Sequence, residues 1–236
     1  MHPPVYSAYP HFKSKTLSWL PMDTKELFLK NQSNKDTREK LEELNWTEDS
    51  IEYKFNSQGF RSDDFNSKGE SIVWLGCSHT LGIGINIEDT ASYIASRQLG
   101  YNCFNLAQGG ASNDTCFRFA YHWIEKLSPK IVVLIAPNIY RVEIARRHGF
   151  DVLMPDCVPE ELDSFYEKWI DSDNNANFNF QKNLFAIQKI SHWDNGAKFV
   201  YTNCEFDFWR GEARDLAHAG KAANLKKSKE LLDLIN

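Results

Sequence analysis

Short apolar runs alternate with helical repeats of apolar residues from residue 70 onward. The clearest runs, residues 71–75 and 131–135, are almost uninterrupted by polar side chains. Runs of this kind are typical of strands buried on both faces of a sheet. Residues 101–106 and 197–202 predict two further strands. The remaining periodic segments predict helices at residues 87–99, 112–127, 181–193 and 220–235.

The order of these elements predicts the fold class. Strands that alternate with helices imply right-handed βαβ crossovers, and therefore a parallel sheet with helices on both faces. We expect an α/β protein built as a three-layer α/β/α sandwich. Residues 140–179 are acidic and weakly periodic, and they predict an insertion with a helix near residues 160–170.

Residues 1–69 differ in pattern from the rest of the chain. They are polar, rich in Asn, Ser and Lys, and contain no long apolar run. An interrupted helix is predicted at residues 24–44 and a short strand at 51–55. We therefore expect an N-terminal extension packed on a main domain of residues 70–236, because 236 residues are too few for two ordinary domains.

Composition and charge narrow the class of protein. The chain has 236 residues and a formal net charge of −5, and its Lys and Arg residues are scattered. A nucleic-acid partner is not expected, because such binding normally needs a basic face. The first residues lack a signal-peptide pattern, and no apolar run approaches the roughly 18 residues of a membrane helix. We expect a cytoplasmic protein without a membrane span.

Cofactor and metal signatures are also missing from the sequence. The five cysteines include no Cys-x-x-Cys pair, which argues against a disulfide framework or a zinc site. Gly82-Ile83-Gly84 lacks the third glycine of a dinucleotide fingerprint and does not follow a strand directly. No histidines have metal-ligand spacing. We therefore expect neither a cofactor nor a metal.

Four loops carry polar groups suited to chemistry. Ligands of open parallel sheets bind beyond the carboxyl ends of the strands. Ser78 follows the first predicted strand, the pair Gly109-Gly110 follows the second and Asn138 follows the third. Asp215 precedes His218 by three residues, close enough to hydrogen-bond one imidazole nitrogen and leave the other as a base. Taken singly, each has a structural alternative: a helix cap, a glycine turn, an Asn-stabilised turn or a surface histidine.

Together, in this order, the four groups resemble the sequence blocks of the SGNH (GDSL-like) hydrolases. Gly76-Cys77-Ser78 stands where the family usually has Gly-Asp-Ser, and Ala136-Pro137-Asn138 stands where it has Gly-x-Asn. The final block matches in Asp215, His218 and Gly220. The resemblance spans about residues 56–236 and implies the SGNH hydrolase fold with a flavodoxin-like sheet.

The resemblance also implies roles for individual residues. Ser78 would be the nucleophile, His218 its base and Asp215 the group that orients His218. The backbone N–H of Ser78, the N–H of Gly110 and the amide of Asn138 would form the oxyanion hole, with Gly109 as a substitute for Gly110. Arg61, His79, Gly109 and Arg141 are further candidate substrate contacts, with a surface or ion-paired arginine as the alternative for Arg61 and Arg141. The implied activity is hydrolysis of an acyl ester, with acetyl on a carbohydrate or another small ester as the first expectation.

Two alternatives stay open at this stage. The chain could be a non-catalytic carbohydrate-binding or structural protein that retains the fold, because fold alone does not imply function. Cys77 could act as the nucleophile in place of its neighbour Ser78, because thiols are intrinsically stronger nucleophiles. The sequence leaves the oligomeric state open.

Overall fold

The structure is a computed structural model that describes residues 6–147, 149–155, 157–205 and 211–236. Its strands are β1 (Thr16–Leu17), β2 (Tyr53–Lys54), β3 (Ser71–Leu75), β4 (Asn102–Asn105), β5 (Ile131–Ala136), β6 (Val142–Arg146), β7 (Gly149–Leu153) and β8 (Lys198–Asn203). Its α-helices are α1 (Lys25–Ser33), α2 (Lys35–Glu43), α3 (Ser78–Leu81), α4 (Ala91–Gln98), α5 (Asn113–Leu127), α6 (Asp163–Ile170), α7 (Asp173–Gln188) and α8 (Lys221–Ile235). Within the described residues, no helix is both long and apolar enough to cross a membrane.

Four parallel strands form the central sheet, in the spatial order β4-β3-β5-β8. Counted along the chain, this order is 2-1-3-4, which is how a flavodoxin-like sheet begins. Val73 in β3 lies opposite both Phe104 in β4 and Val132 in β5. The predicted parallel α/β architecture is therefore confirmed.

Side chains alternate across this sheet and bury both of its faces. Val73 and Leu75 join a core formed with α5 and α7, whereas Ile72 and Trp74 join a core formed with α4 and α8. This division follows from the two-residue period of a strand. Helices thus cover the sheet on both sides, consistent with a three-layer sandwich.

Two features of the 140–179 segment differ from the prediction. β6 and β7 form an antiparallel hairpin that the sequence did not indicate, because its side chains are mostly half-exposed and of mixed polarity. Helix α7 begins at Asp173, eight residues before the predicted start at residue 181. Its asparagine-rich first turns have weak helix propensity. Asn179 and Asn183 instead donate to the Asp114 carboxylate, so tertiary contacts stabilise this part of the helix.

The N-terminal extension packs on the loops at one end of the sheet. Phe28 and Leu41, from α1 and α2, share a buried cluster with Leu81 at the end of α3 and Ile83 in the turn that follows. Ala213, in the loop before α8, belongs to the same cluster. The extension therefore contacts both of the loops that carry predicted catalytic residues.

Candidate active site

The sheet topology places a crevice at the carboxyl ends of β3 and β5. The chain leaves β3 towards β4 on one side and reaches β5 on the other, so the loops after these two strands diverge. This is the switch point at which open parallel sheets bind ligands. Ser78 begins helix α3 three residues after β3, and Asn138 lies two residues after β5.

Asp215 and His218 form a tight buried pair. His218 Nδ1 lies 2.5 Å from Asp215 Oδ2, and because a carboxylate can only accept, Nδ1–H is the donor. Asp215 Oδ1 accepts the backbone N–H groups of Ala217 and His218, both at 3.0 Å. The carboxylate thus fixes both the loop and the ring, leaving His218 Nε2 as the nitrogen that can act as a base.

The loop that carries this pair docks against the turn that follows Ser78. The Arg214 N–H donates to Gly84 O at 2.9 Å. Gly84 has φ +77°, and a Cβ there would lie 2.7 Å from Ala213 Cβ, so only glycine permits this approach. The His218 ring centroid lies 5.1 Å from that of His79, the residue after Ser78.

The Ser78 hydroxyl is not hydrogen-bonded to this pair. Within the described residues, no hydrogen bond joins Ser78 Oγ to His218. Ser78, His218 and Asp215 are 6%, 5% and 4% exposed. Catalytic hydrogen bonds are often long without a substrate and tighten when one binds. The structure therefore brings the two loops together without forming the Ser–His hydrogen bond itself.

The predicted oxyanion donors differ in whether they already have a hydrogen-bond acceptor within the protein. The Gly109 N–H donates to the Tyr9 hydroxyl at 2.9 Å, so it is already used. Gly110 has φ +72°, and no hydrogen bond of its N–H occurs among the described residues. The Ser78 N–H lies in the first turn of α3, where backbone N–H groups lack intrahelical partners. Gly110 is accordingly the better donor of the two glycines.

Asn138 makes the turn-stabilising contact that the sequence allowed for. Its Oδ1 accepts the Tyr140 N–H at 2.8 Å, which is the turn-stabilising contact. This bond fixes the plane of the amide. The Asn138 side-chain NH₂ group has no hydrogen-bond partner in the described part of the chain, so it can donate to a ligand at the end of β5.

A cavity of about 360 Å³ opens at Asn138, and its lining residues do not include Ser78, Gly110 or His218. His79 and Arg141 line it together with Asn138. Burial lowers the pKa of His79, and the neighbouring His218 and Arg141 act in the same direction. Arg141 Nη1 also donates to Ala111 O at 3.3 Å. His79 and Arg141 thus occupy positions where a ligand in this cavity would meet them.

Arg61 bonds the protein backbone and does not make the expected substrate contact. It is fully buried, and its guanidinium donates to the carbonyl oxygens of Gly82 at 2.5 Å and Ile85 at 2.8 Å. Burial lowers its pKa to about 10. These contacts hold the turn after Ser78, and burial separates the guanidinium from any substrate. The expectation for Arg61 is corrected accordingly.

A buried ion pair between the extension and the His218 loop was not anticipated. Arg214 Nη2 lies 2.7 Å from Asp23 Oδ2, and both side chains are almost completely buried. Tyr53 donates to the same carboxylate oxygen at 2.5 Å and accepts the Gly84 N–H at 2.8 Å. No sequence signal marks this network, because Asp23 and Arg214 are 191 positions apart. It joins the two loops of the candidate site to the extension.

The described ranges contain no group of three or more His, Cys, Asp or Glu side chains placed to hold a metal. No protein-family model matches the chain, and no curated protein matches it. Among solved structures, the chain is similar to the crystal structure of TesA, with a TM-score of 0.46 and 12% sequence identity. That similarity covers 71% of this chain and 98% of the other. It is too distant to carry an argument about activity, which rests on the geometry.

Proposed function

We propose that this protein is a serine ester hydrolase of the SGNH type, in which Ser78, His218 and Asp215 act together. One observation carries the proposal: the bonded Asp215–His218 pair lies on a loop docked against the Ser78 turn, at the switch point of the sheet. A surface histidine would need no buried carboxylate partner. The two oxyanion donors that are not committed elsewhere, at Gly110 and Asn138, add support.

The mechanism follows from this arrangement. Ser78 Oγ attacks the ester carbonyl carbon while its proton passes to His218 Nε2, and Asp215 stabilises the imidazolium that results. The carbonyl oxygen, now negative, accepts hydrogen bonds from the donors of the oxyanion hole. His218 then returns the proton to the departing alcohol. Water, deprotonated by His218, releases the acyl group from Ser78 in a second, equivalent step.

The substrate proposal is an acyl ester of a carbohydrate or another small alcohol, with acetyl as the first choice. This choice rests on the family resemblance of the sequence. The cavity of about 360 Å³ is of a size that suits a small ester, and His79 and Arg141 are its candidate polar contacts. Release of acetate from a panel of acetylated glycans and simple esters would identify the preferred alcohol.

Labelling with a fluorophosphonate tests the catalytic assignment directly. Such a probe reacts with an activated serine, so we expect one adduct on the folded protein, which peptide mass spectrometry maps to Ser78. The Ser112→Ala variant is a matched control, because Ser112 is a buried helix cap outside the proposed set. It should label normally, whereas Ser78→Ala should not. Folded protein that stays unlabelled would favour the non-catalytic binding alternative, consistent with the missing Ser78–His218 hydrogen bond.

Replacing Asn138 tests the oxyanion hole. We expect Asn138→Ala to lower kcat by about 10²–10³ with little change in KM, because one donor that acts in the transition state is lost. Asn138→Asp keeps an oxygen for the Tyr140 N–H but adds a negative charge, so it should lose at least as much activity. Ile139→Ala alters the same cavity wall without removing a donor and should retain most activity. An Asn138→Ala enzyme as active as Ile139→Ala would remove Asn138 from the hole.

A further inference from the structure

Two of the five cysteines meet at the edge of the candidate site. Cys77 precedes the proposed nucleophile, and Cys204 directly follows β8. Their Sγ atoms lie 3.5 Å apart, in van der Waals contact. The strands that lead to them are separated by β5, and the Cys204 N–H donates to Ala136 O at the end of that strand. The loops therefore bend over the end of β5 and bring the sulfurs together.

The surroundings of this pair differ from those of the other three thiols. The hydrogen bond with Cys204 lowers the pKa of Cys77 well below its usual range, and the charges of His79 and Arg141 act in the same direction. That bond raises the pKa of Cys204. Burial, together with nearby acidic groups, raises the pKa of Cys103 to about 12 and also raises that of Cys116. Both sulfurs of the pair belong to residues that line the cavity, which gives a small oxidant access.

We propose that Cys77 and Cys204 are a redox modification site, which a peroxide converts into a reversible disulfide. Cys77 thiolate attacks one peroxide oxygen, the O–O bond breaks, and Cys77 sulfenic acid and hydroxide form. Cys204 sulfur then attacks the Cys77 sulfur and displaces hydroxide, which takes up the Cys204 proton to give water. The proton that Cys77 released on ionising converts the first hydroxide into water. In total, two thiols and one hydrogen peroxide give one disulfide and two waters. A dithiol reductant reverses the step by exchange.

Disulfide formation also regulates the site, a consequence that rests on the proposed function. The distance between the sulfurs must shorten from 3.5 Å to about 2.05 Å, a change of about 1.5 Å that Cys204 shares with Cys77, the residue that precedes Ser78. A misplacement of about 1 Å near the reacting groups can cost about 10²-fold in rate. We expect the oxidised protein to lose most of its ester hydrolysis, between about tenfold and 10²-fold, and to regain it with reductant.

The experiment first detects the disulfide between Cys77 and Cys204 and then measures ester hydrolysis. The folded protein is treated with hydrogen peroxide, quenched, alkylated and digested under non-reducing conditions. We expect a linked peptide pair containing Cys77 and Cys204, and a loss of two titratable thiols. In Cys204→Ser the partner sulfur is missing, so dimedone should trap sulfenic acid at Cys77. In Cys77→Ser, no dimedone adduct should form at Cys204.

Cys157 supplies the matched control, because it is exposed and does not line the cavity. The Cys157→Ser variant should form the Cys77–Cys204 link as the unaltered protein does. Five intact thiols after peroxide treatment, or oxidation confined to Cys157, would overturn the proposal. These readouts need no substrate, so the proposal stands or falls separately from the hydrolase assignment. A linked protein whose ester hydrolysis is unchanged would overturn only the regulatory consequence.

Discussion

Ser78→Ala is expected to lower kcat/KM for a short acyl ester by at least about 10⁴, with the fold retained. The reason is that the hydroxyl, the imidazole and the carboxylate work as a unit, so removal of the nucleophile leaves only binding and the oxyanion hole. His218→Ala should lose a similar factor. The double variant should be hardly worse than either single one, since losses within such a unit are not additive. Steady-state kinetics on the purified variants measure all three.

Cys77→Ala is the control that separates the two candidate nucleophiles. Cys77 lines the cavity and directly precedes Ser78 in the sequence, so the thiol has to be tested on its own. If Ser78 is the nucleophile, Cys77→Ala keeps most activity and Ser78→Ala abolishes it. The opposite pattern, in which Ser78→Ala still turns over while Cys77→Ala does not, would assign the chemistry to the thiol. Circular dichroism of each variant verifies that folding is intact.

Asp23→Ala is expected to lower the free energy of unfolding by about 3–5 kcal/mol, the typical effect of removing one partner of a buried ion pair. Arg214 would then remain buried without its carboxylate, although it still donates to Ser18 O and Glu48 O. The Tyr53 hydroxyl would also lose its acceptor. Denaturant unfolding at constant pH measures the change.

Two control experiments test whether the loss of stability comes from the ion pair between Asp23 and Arg214. Lys35→Ala removes one end of an exposed ion pair with Glu39, and its effect on stability should be small. Combining Asp23→Ala with Arg214→Ala should cost less than the sum of the single changes, because the two side chains share the interaction. Strict additivity of the two losses would contradict the assignment of a coupled buried pair. We also expect Asp23→Ala to reduce activity more than its stability loss explains, since Arg214 adjoins Asp215.

The sheet and its helices were predictable because their signals are local. The bounds of β3 match the prediction at both ends, since every residue of Ser71–Leu75 is buried and the apolar run ends where the strand does. The predicted helix at residues 112–127 is present as α5, which Ser112 caps by accepting the Thr115 N–H. Helix α8 begins within one residue of the expected start. Buried strands and helix caps depend on residue types at adjacent positions, so a single sequence is enough to predict them.

The contacts that organise the candidate site were not predictable in the same way. The pairing of Asp23 with Arg214 and the meeting of Cys77 with Cys204 depend on positions more than 100 residues apart. No periodicity links such positions, because tertiary folding alone brings them together. Arg61 shows the reverse error, since its charge suggested a ligand contact and the structure uses it to bond carbonyl oxygens in a turn. The roles of Ser78, Asp215 and His218 stay predictions that the proposed experiments test.

The contacts made by the first 69 residues determine whether the rest of the chain can function without them. The Tyr9 hydroxyl accepts the Gly109 N–H. Asp23 accepts from the Arg214 guanidinium and from the Tyr53 hydroxyl, which in turn accepts the Gly84 N–H. A shortened chain that starts at residue 70 would keep every proposed catalytic side chain yet lose the groups that anchor them. Transplanting the α/β portion alone onto another polypeptide should therefore yield a poorly ordered centre. The change in hydrophobic pattern near residue 70 marks a difference in local sequence, not a line along which the molecule can be divided.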